Sequence, residues 1–536
     1  MPSFNLVDEK WIPCLMAPDG KPQELGIKDT LVRAHEIREI FDPSPLVTIA
    51  LHRLLLAILH RNFGPVNLDA WHVLWGRGQW DAQTLCAYLA ECHPTFDLFD
   101  PQRPFFQVPE MSDAENHSTA NLAQEMAAGN NATLFDHSCD ATAKTMLPAE
   151  AARYLLARQA FSIGFGKSNP FYFQDAPLVR GFTVLATGET LFQTLALNLM
   201  VCNSERPLPS SSTDKPTWEY ANLKIPDKGG TQPDGYMDYL TWQSRRVHLV
   251  TRGEGSVVVQ CQVQQNMALA DGILDPFMCF ISDPETGIHP RNLSATRALW
   301  RDSHVLFQEV DHSWKRPEVF NWLARIHGLQ RQGEIDLACQ VSFSVYGFAT
   351  EKGKAASVIL WRHERLPLPL PYLGEDATEL LNSLKDGLTL AENVGKQLNQ
   401  ACRRLAQLVL FPNKGENGGL TKPQSQEAEK FLDALGPGSL YWSHLEAAFR
   451  ELLVALPDDK QEQDGIVQYG ITQLRVWKDV LRRAARGAFD EVANGLDRDA
   501  RTLKAVSRAE RLFNARLREI LGPAENERRD ATYERT

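Results

Sequence analysis

The sequence GKS at 166–168 has the residue types that end many phosphate-binding loops of nucleotide hydrolases. Those loops carry another glycine five residues before the second one and open a helix. Here Phe161 occupies that position, and a predicted helix, 148–161, runs into the glycines instead of following them. Asn169-Pro170 disfavours a helix after the loop. We therefore exclude ATP hydrolysis here and interpret the segment as a glycine loop with one cation, able to approach a ligand closely.

A hairpin with lysines at its tip is the second candidate element. Residues 341–361 alternate apolar and polar side chains on either side of a Gly/Lys-rich turn. This pattern is typical of two antiparallel strands and a short connection. The predicted tip comprises Lys352, Gly353, Lys354 and Ala355. The alternative interpretation is an ordinary exposed turn, since polar tips are common.

Composition narrows the classes of protein to which the chain can belong. The net charge is −11, so strong unaided binding to DNA is not expected, and any nucleic-acid contact has to be local. The nine cysteines form no CxxC pair, which argues against a zinc site and a disulfide framework and fits the cytoplasm. The charged N-terminus does not resemble an export signal. We expect no metal and no cofactor.

Hydrophobic periodicity predicts an α+β fold with two domains. A large mixed domain of short strands and helices, residues 1–370, is followed by a C-terminal four-helix bundle, residues 371–536. The four helical stripes fall at 384–408, 445–456, 474–481 and 503–520, the last one made of Leu503, Val506, Phe513, Leu517 and Ile520. The apolar stretch 44–64 contains two histidines and an arginine, so we expect a buried amphipathic helix and not a membrane span.

The end of the chain is locally basic. Residues 471–521 contain 12 Lys and Arg against 7 Asp and Glu, a local net charge of +5. Arg508 and Arg511 belong to a set that lies off the predicted apolar stripe and could contact a nucleic-acid backbone. The alternative is a solvated helix surface in which charges pair at i to i+4.

Six stretches, in order across most of the first 370 residues, resemble the CasA family, the large subunit of type I-E CRISPR Cascade surveillance complexes. They are NLVDEKWIP (5–13), GNNATLFDH (129–137), QAFSIGFGKSNP (159–170), DAPLVRGFTVL (175–185), LTWQSRRVHL (240–249) and ALWRDSHVL (298–306). The helical region after them also matches the layout of that family.

The resemblance implies a non-catalytic subunit of an RNA-guided interference complex. Such a subunit recognises the PAM duplex beside a double-stranded DNA target, promotes unwinding and R-loop formation, and docks the separate helicase-nuclease. The implied partners are the other Cascade subunits, the crRNA, the target duplex and the displaced non-target strand, with no membrane.

The resemblance also assigns candidate site residues. The family's glycine loop corresponds to Gly164, Gly166, Lys167 and Ser168, where glycines would let the main chain enter a minor groove about 6 Å wide. Its wedge hairpin corresponds to the tip at 352–355, which lacks the glutamine that some members carry. The alternative is that the glycines merely end the preceding helix and that Lys167 is solvated.

Further candidates come from three other segments. Asn130, Asn131, Phe135 and His137 fall in the region that in the family reaches the crRNA 5′ end, where Phe135 could stack on a base or could equally be core. Some relatives carry paired cysteines for zinc near this region, where this chain has only Cys139. Candidates for backbone contact are Arg291 and the adjacent pair at 245–246, of which at least one is expected to form structural ion pairs.

Two other classes of function stay open at this point. A phosphohydrolase is one, although the sequence has no HExxH, no GxSxG and no complete Walker motif. A protein–protein adaptor without nucleic-acid binding is the other. Co-purification with crRNA would separate the adaptor from the CRISPR subunit.

Overall fold

The computed structural model describes most of the chain, and the account below is confined to these residues. They are 3–123, 125–126, 145–164, 174–179, 181–204, 206–221, 224, 230–253, 255–307, 314–337, 339–350, 358–412, 419–463 and 466–523. By compactness the chain divides into two units, Met1–Leu299 with Val305–Leu373, and Trp300–His304 with Gly374–Thr536.

The first unit mixes short strands and helices. Its strands are β1 Ile12–Met16, β2 Pro22–Leu25, β3 Ile37–Ile40, β4 His117–Ser118, β5 Thr183–Thr187, β6 Arg245–Arg252, β7 Val257–Gln265, β8 Phe280–Asp283, β9 Gly287–Pro290, β10 Trp314–Lys315, β11 Ser342–Thr350 and β12 Val358–Pro367. Its helices are α1 Ile27–Val32, α2 Pro45–Phe63, α3 Leu68–Gly76, α4 Ala82–Cys92, α5 Pro148–Phe161, α6 Leu191–Leu197, α7 Tyr236–Leu240 and α9 Glu318–Arg331. The short helix α8, Ser303–Phe307, has residues assigned to each of the two units.

The described strands of this unit pair antiparallel in four small sheets. Their orders are β2-β1-β3, β4-β7-β6, β10-β8-β9 and β12-β11-β5. The hairpin predicted over 341–361 is confirmed, because β11 and β12 pair directly. The sequence also suggested a strand, a turn and a strand over 4–15. The turn at residues 6–10 and the second strand, β1, are confirmed, but residues 4–5 form no strand that pairs with it, and β1 pairs with the later strand β2 instead.

Helix α2 lies at the centre of the first unit. It begins with Ser44 as N-cap, whose Oγ accepts a hydrogen bond from the Val47 amide, and with Pro45 in the first turn, both of which favour a helix start. It is long and apolar enough to cross a membrane, but 83% of that apolar window is buried inside the protein. The predicted buried helix is confirmed. It is covered all round, however, so it is not amphipathic.

The polar groups of α2 are mostly satisfied inside the core. Arg53 donates to the Asp275 carboxylate at 2.8 Å and to the Tyr239 carbonyl at 3.1 Å. Both ionic side chains are almost fully buried, so each depends on the other for its stability there. This pair explains how a positive charge is tolerated in the most apolar stretch of the chain.

The second unit is helical, as expected. Its helices are α10 Thr378–Leu410, α11 Lys422–Leu435, α12 Pro437–Ser443, α13 Glu446–Ala455, α14 Gln473–Asn494 and α15 Ala500–Leu521, with a hairpin of β13 Lys460–Gln463 and β14 Ile466–Tyr469. The predicted stripes correspond to α10, α13, α14 and α15. Helices α11 and α12 and the hairpin were not predicted, because their apolar faces are short or interrupted by exposed polar residues.

Ring contacts and side-chain hydrogen bonds join these helices. The Trp477 indole of α14 donates to the Gly387 carbonyl of α10 at 2.8 Å, and Phe489 of α14 stacks on Phe513 of α15. One predicted core residue is wrong. Leu503 is 57% exposed, and the buried face of α15 uses Thr502, Ala505, Ala509, Phe513, Leu517 and Leu521 instead.

Candidate nucleic-acid interface

The base of the glycine loop is fixed by main-chain hydrogen bonds. Helix α5 ends at Phe161, as predicted, and the returning chain binds back to it: the Ala176 amide donates to the Ser162 carbonyl at 2.8 Å. The Leu178 amide likewise donates to the carbonyl of residue 160, at 2.9 Å. Gly164 and Gln174 therefore lie side by side. Gly166, Lys167 and Ser168 fall within segment 165–173, outside the described residues.

Gly164 stands where the two arms of this stem approach most closely. Its amide donates to the Asp175 carboxylate at 2.7 Å. A Cβ added at this position would lie 3.1 Å from main-chain atoms of Gln174, closer than most real contacts. The neighbouring backbone therefore favours glycine here, which is a different reason from the groove entry suggested by the sequence.

Arg245 hydrogen-bonds to both arms of the same stem. Its Nη2 donates to the carbonyls of Ser162 at 3.0 Å and Gln174 at 2.9 Å, one on each arm of the loop. The side chain is only 2% exposed. Burial, and after it the charge of Arg158, lowers the pKa of Arg245 to about 9, so the guanidinium stays charged at neutral pH.

The suggestion that Arg245 contacts a nucleic-acid backbone is therefore wrong, because the side chain is buried and bound to main-chain carbonyls. These hydrogen bonds go to neutral carbonyls, while the charge of the Asp175 carboxylate raises the pKa of Arg245 against the effect of burial. The expected structural ion pair of at least one of the two adjacent arginines stays a prediction. A sequence signal could have shown this. In β6, Arg245 alternates with Val247 and Leu249, which places it on the buried face of the strand. Its neighbour Arg246 is half-buried and donates to the Gln264 side chain at 3.2 Å.

Gln159 ties α5 to the start of β6, which carries Arg245. Its side-chain amide donates to the Arg245 carbonyl at 3.0 Å and its carbonyl accepts from the Arg245 amide at 2.9 Å. The Ser244 hydroxyl donates to the Gln159 main-chain carbonyl at 2.7 Å. Sequence reasoning missed this pairing because a buried glutamine in a helix has no distinguishing pattern.

The second candidate element, the hairpin, leaves the core beside the glycine loop. In its register Tyr346 faces His363, and Phe348 faces Trp361. The Phe348 ring packs against Phe161, the last residue of α5, with ring centres 6.2 Å apart. The tip residues Lys352, Gly353, Lys354 and Ala355 lie outside the described residues.

The lengths of chain between this contact and the two predicted tips are short. Gly164 follows Phe161 by three residues, and Lys352 follows Phe348 by four. At roughly 3.3–3.6 Å per extended residue, these spans reach about 10 Å and 14 Å. The loop and the hairpin therefore depart from neighbouring points of one core.

Arg291 lies just after β9 and has an aromatic partner. Its amide donates to the Cys279 carbonyl at 2.9 Å, and its guanidinium lies over the Trp314 ring, 4.8 Å from the ring centre. A cation–π contact of this kind covers one face of the guanidinium and fixes its orientation. A nucleic-acid contact by Arg291 stays a prediction.

Helix α15 presents a basic face opposite its core face. Arg501, Lys504, Arg508, Arg511 and Arg518 are all exposed and follow one another at mostly three- and four-residue spacing. Neither Arg508 nor Arg511 has an Asp or Glu three or four residues away. The alternative of i to i+4 pairing within the helix therefore does not apply to these two residues.

Asn130, Asn131, Phe135 and His137 lie outside the described residues, as does Cys139. Within the parts of the chain that are described, no group of three or more His, Cys, Asp or Glu side chains is arranged to hold a metal ion.

Comparison with known proteins places the chain in a family. The family model of CRISPR-associated protein Cse1 matches residues 5–488. The CRISPR-associated protein CasA/Cse1 of Thermus thermophilus is 30% identical over 538 residues, covering 96% of this chain and 98% of that protein.

Solved structures agree in fold. A crystal structure of Thermus thermophilus CasA has a TM-score of 0.77 at 28% identity, covering 96% of this chain and 99% of that one. A chain of a CRISPR RNA-guided surveillance complex has a TM-score of 0.73 at 22% identity, covering 96% of this chain and 100% of that one. The chain belongs to the CRISPR-associated Cse1 family, also called CasA.

Proposed function

We propose that this chain is the non-catalytic large subunit of an RNA-guided CRISPR interference complex, where it recognises the PAM duplex and promotes opening of the target DNA. Membership of the Cse1 family supports the role as a subunit of such a complex. The observation that supports the DNA-binding role is the packing of Phe161 on Phe348, because Phe161 shortly precedes the glycine loop and Phe348 shortly precedes the hairpin tip. Two adjacent elements can grip one short duplex, whereas distant ones cannot.

In this proposal the glycine loop reads the minor groove. That groove carries a degenerate pattern of acceptors, which suits weak and fast sampling of a short motif that tolerates more than one sequence. Gly166 allows the main chain to come close, while Lys167 and Ser168 bind phosphates or groove acceptors. The stem that holds Gly164 carries the loop on a rigid base.

The hairpin acts as the wedge that starts strand separation. Unstacking costs a few kcal/mol per step, so contacts to the duplex have to offset it. Lys352 and Lys354 hold phosphates, and Gly353 and Ala355 bring the backbone against the base pair. No bond is made or broken by this chain, since opening DNA by binding requires only that the open form is bound more tightly.

Other surfaces serve the remaining partners. The exposed basic face of α15 binds the displaced non-target strand through Arg508 and Arg511. The segment with Asn130, Asn131, Phe135 and His137 contacts the crRNA and neighbouring subunits, and Arg291 contacts a nucleic-acid backbone. The complex works in the cytoplasm and hands the opened target to the helicase-nuclease, which docks on this chain.

The test compares complexes assembled with and without this chain. Each is mixed with duplexes that carry or lack the PAM next to the same target sequence. We expect PAM-dependent binding and R-loop formation only when the chain is present. Equal binding of PAM-bearing and PAM-free duplexes by the full complex would contradict the proposal.

A further inference from the structure

An exposed tryptophan lies on the second strand of the hairpin. Trp361 lies on β12, an edge strand of the β12-β11-β5 sheet, and 39% of its surface is exposed. Its cross-strand partner is Phe348, which itself packs on Phe161. Since paired residues of an antiparallel sheet point to the same face, the indole lies on the side from which the glycine loop leaves.

The Trp361 indole differs from most indoles of this protein. Those of Trp11, Trp71 and Trp477 are buried and donate to main-chain carbonyls. Among the described residues, none hydrogen-bonds to the Trp361 indole or stacks on it. A large ring that remains exposed, on an edge strand close to the predicted DNA elements, is therefore available to an external planar ligand.

The face of β12 that carries the ring has a net positive charge further along the strand. Along the same face of β12 follow His363, whose ring stacks on Tyr346 with centres 4.6 Å apart, and Arg365. Glu39 is shared between Arg365 at 3.2 Å and Arg38 at 3.2 Å, so these three groups together carry one positive charge. Burial lowers the pKa of His363, which keeps its imidazole neutral at neutral pH.

We infer that the Trp361 indole is a stacking platform for a nucleobase of the target DNA, taken up when the first base pair beside the PAM opens. This inference rests on the proposed function. An exposed aromatic ring on a surface that also carries positive charge is the usual combination for single-stranded nucleic acid, and stacking is tolerant of sequence because every base has a π-face. The hairpin would unstack the base, and Trp361 would hold it and so stabilise the open form.

The experiment uses the assembled complex and a PAM-bearing target in which 2-aminopurine replaces the first base beside the PAM, on one strand or the other. Stacking on an indole quenches this probe. We expect Trp361→Ala to lower the fraction of opened target about tenfold and to make the remaining opened probe brighter. Trp361→Phe should retain most of the opening. Binding of a PAM duplex that lacks the guide-complementary sequence should change less than twofold.

Val73→Ala removes another exposed apolar side chain, 58% exposed, from α3 of the same unit and should leave all signals unchanged. If the Trp361→Ala complex opens as much target DNA as the unmodified complex, the inference is overturned, while the proposed PAM recognition stands. Loss of assembly, with normal opening by the complexes that do form, would show that a protein neighbour covers the indole and would also overturn it. Absence of PAM dependence in the unmodified complex would instead defeat the proposed function itself.

Discussion

Phe161 and Phe348 pack against each other with ring centres 6.2 Å apart, joining the end of α5 to the strand that rises into the hairpin tip. Both rings are buried, at 0% and 4% exposure. Two loops that are far apart in the sequence are thereby anchored in one small aromatic contact. The end of α5 and the middle of β11 are therefore held together by the core.

The lysines of the two tips should control PAM-dependent binding. We expect Lys167→Ala, and separately Lys352→Ala with Lys354→Ala, to weaken binding of a PAM-bearing duplex by the assembled complex while assembly stays normal. If each lysine binds one phosphate, the negative slope of log K against log salt should become less steep by about 0.9 for each lysine removed. An unchanged slope in titrations at several salt concentrations would count against phosphate contact.

Removing Arg245 should loosen the glycine loop without touching DNA directly. Arg245→Met removes the donor to the part-buried Gln174 carbonyl and one donor to the buried Ser162 carbonyl, so we expect a loss of stability of about 1–3 kcal/mol. Discrimination between PAM-bearing and PAM-free duplexes should decline as well. Denaturant midpoints and binding titrations measure the two effects.

Arg246→Met is the matched control for Arg245→Met, because the neighbouring side chain is half-buried and bonds to the Gln264 side chain instead of the loop stem. We expect a change within about 0.5 kcal/mol. Equal effects of the two substitutions on PAM discrimination would mean that the loop stem is not the cause.

The basic face of α15 should stabilise the R-loop. We expect Arg508→Glu with Arg511→Glu to shorten the R-loop lifetime and to reduce the salt slope by about 1.4, which corresponds to two contacts with single-stranded DNA. Arg475→Glu with Lys478→Glu changes the charge equally at the same spacing on α14 and is the control. Dissociation of labelled target at several salt concentrations measures the slope, and equal behaviour of the two pairs would disprove a specific role of α15.

A buried histidine predicts how stability depends on pH. Within the described parts of the chain, neither ring nitrogen of His60 in α2 has a hydrogen-bond partner, and the ring packs edge-on against Tyr236. Burial lowers the pKa of His60 to about 3, against about 6.5 when unfolded. Below pH 6.5 the unfolded chain binds the proton first, so stability falls by about 1.4 kcal/mol per pH unit until the folded pKa is reached.

His60→Leu should abolish this part of the acid sensitivity. Denaturant midpoints at pH 7.5 and 5.5 should differ less for the variant than for the unmodified protein, while the exposed His35→Leu should behave like the unmodified protein. The same pH dependence in all three proteins would show that His60 is not responsible.

The elements whose periodicity is strong are predictable from the sequence. The 148–161 helix and the 341–361 hairpin belong to this group because their apolar residues repeat with the period of one structure only. Helix α11 and the β13–β14 hairpin do not, because their exposed polar residues give no such repeat. The prediction for Leu503 is wrong because the buried face of α15 uses alanines and a threonine, which carry little hydrophobic signal.

The interface is predictable only where family motifs mark it. The resemblance identifies the residues of the two tips. The contacts at the bases of the loop and the hairpin join residues that are distant in the sequence: Arg245 donates to the Ser162 carbonyl, and Phe348 packs on Phe161. Such pairs depend on tertiary packing, and one sequence contains no record of which distant residues meet. The alternation of apolar residues in β6, which includes the position of Arg245, is a local signal in the sequence that Arg245 is buried.

The stem of the glycine loop is built almost entirely from main-chain groups, apart from Arg245 and the Asp175 carboxylate. Amides and carbonyls are present whatever side chains the loop carries. Under the proposed function, substitutions between the two arms change which DNA sequences the loop accepts and leave the scaffold as it is. A new specificity then arises by local exchange of side chains, without refolding.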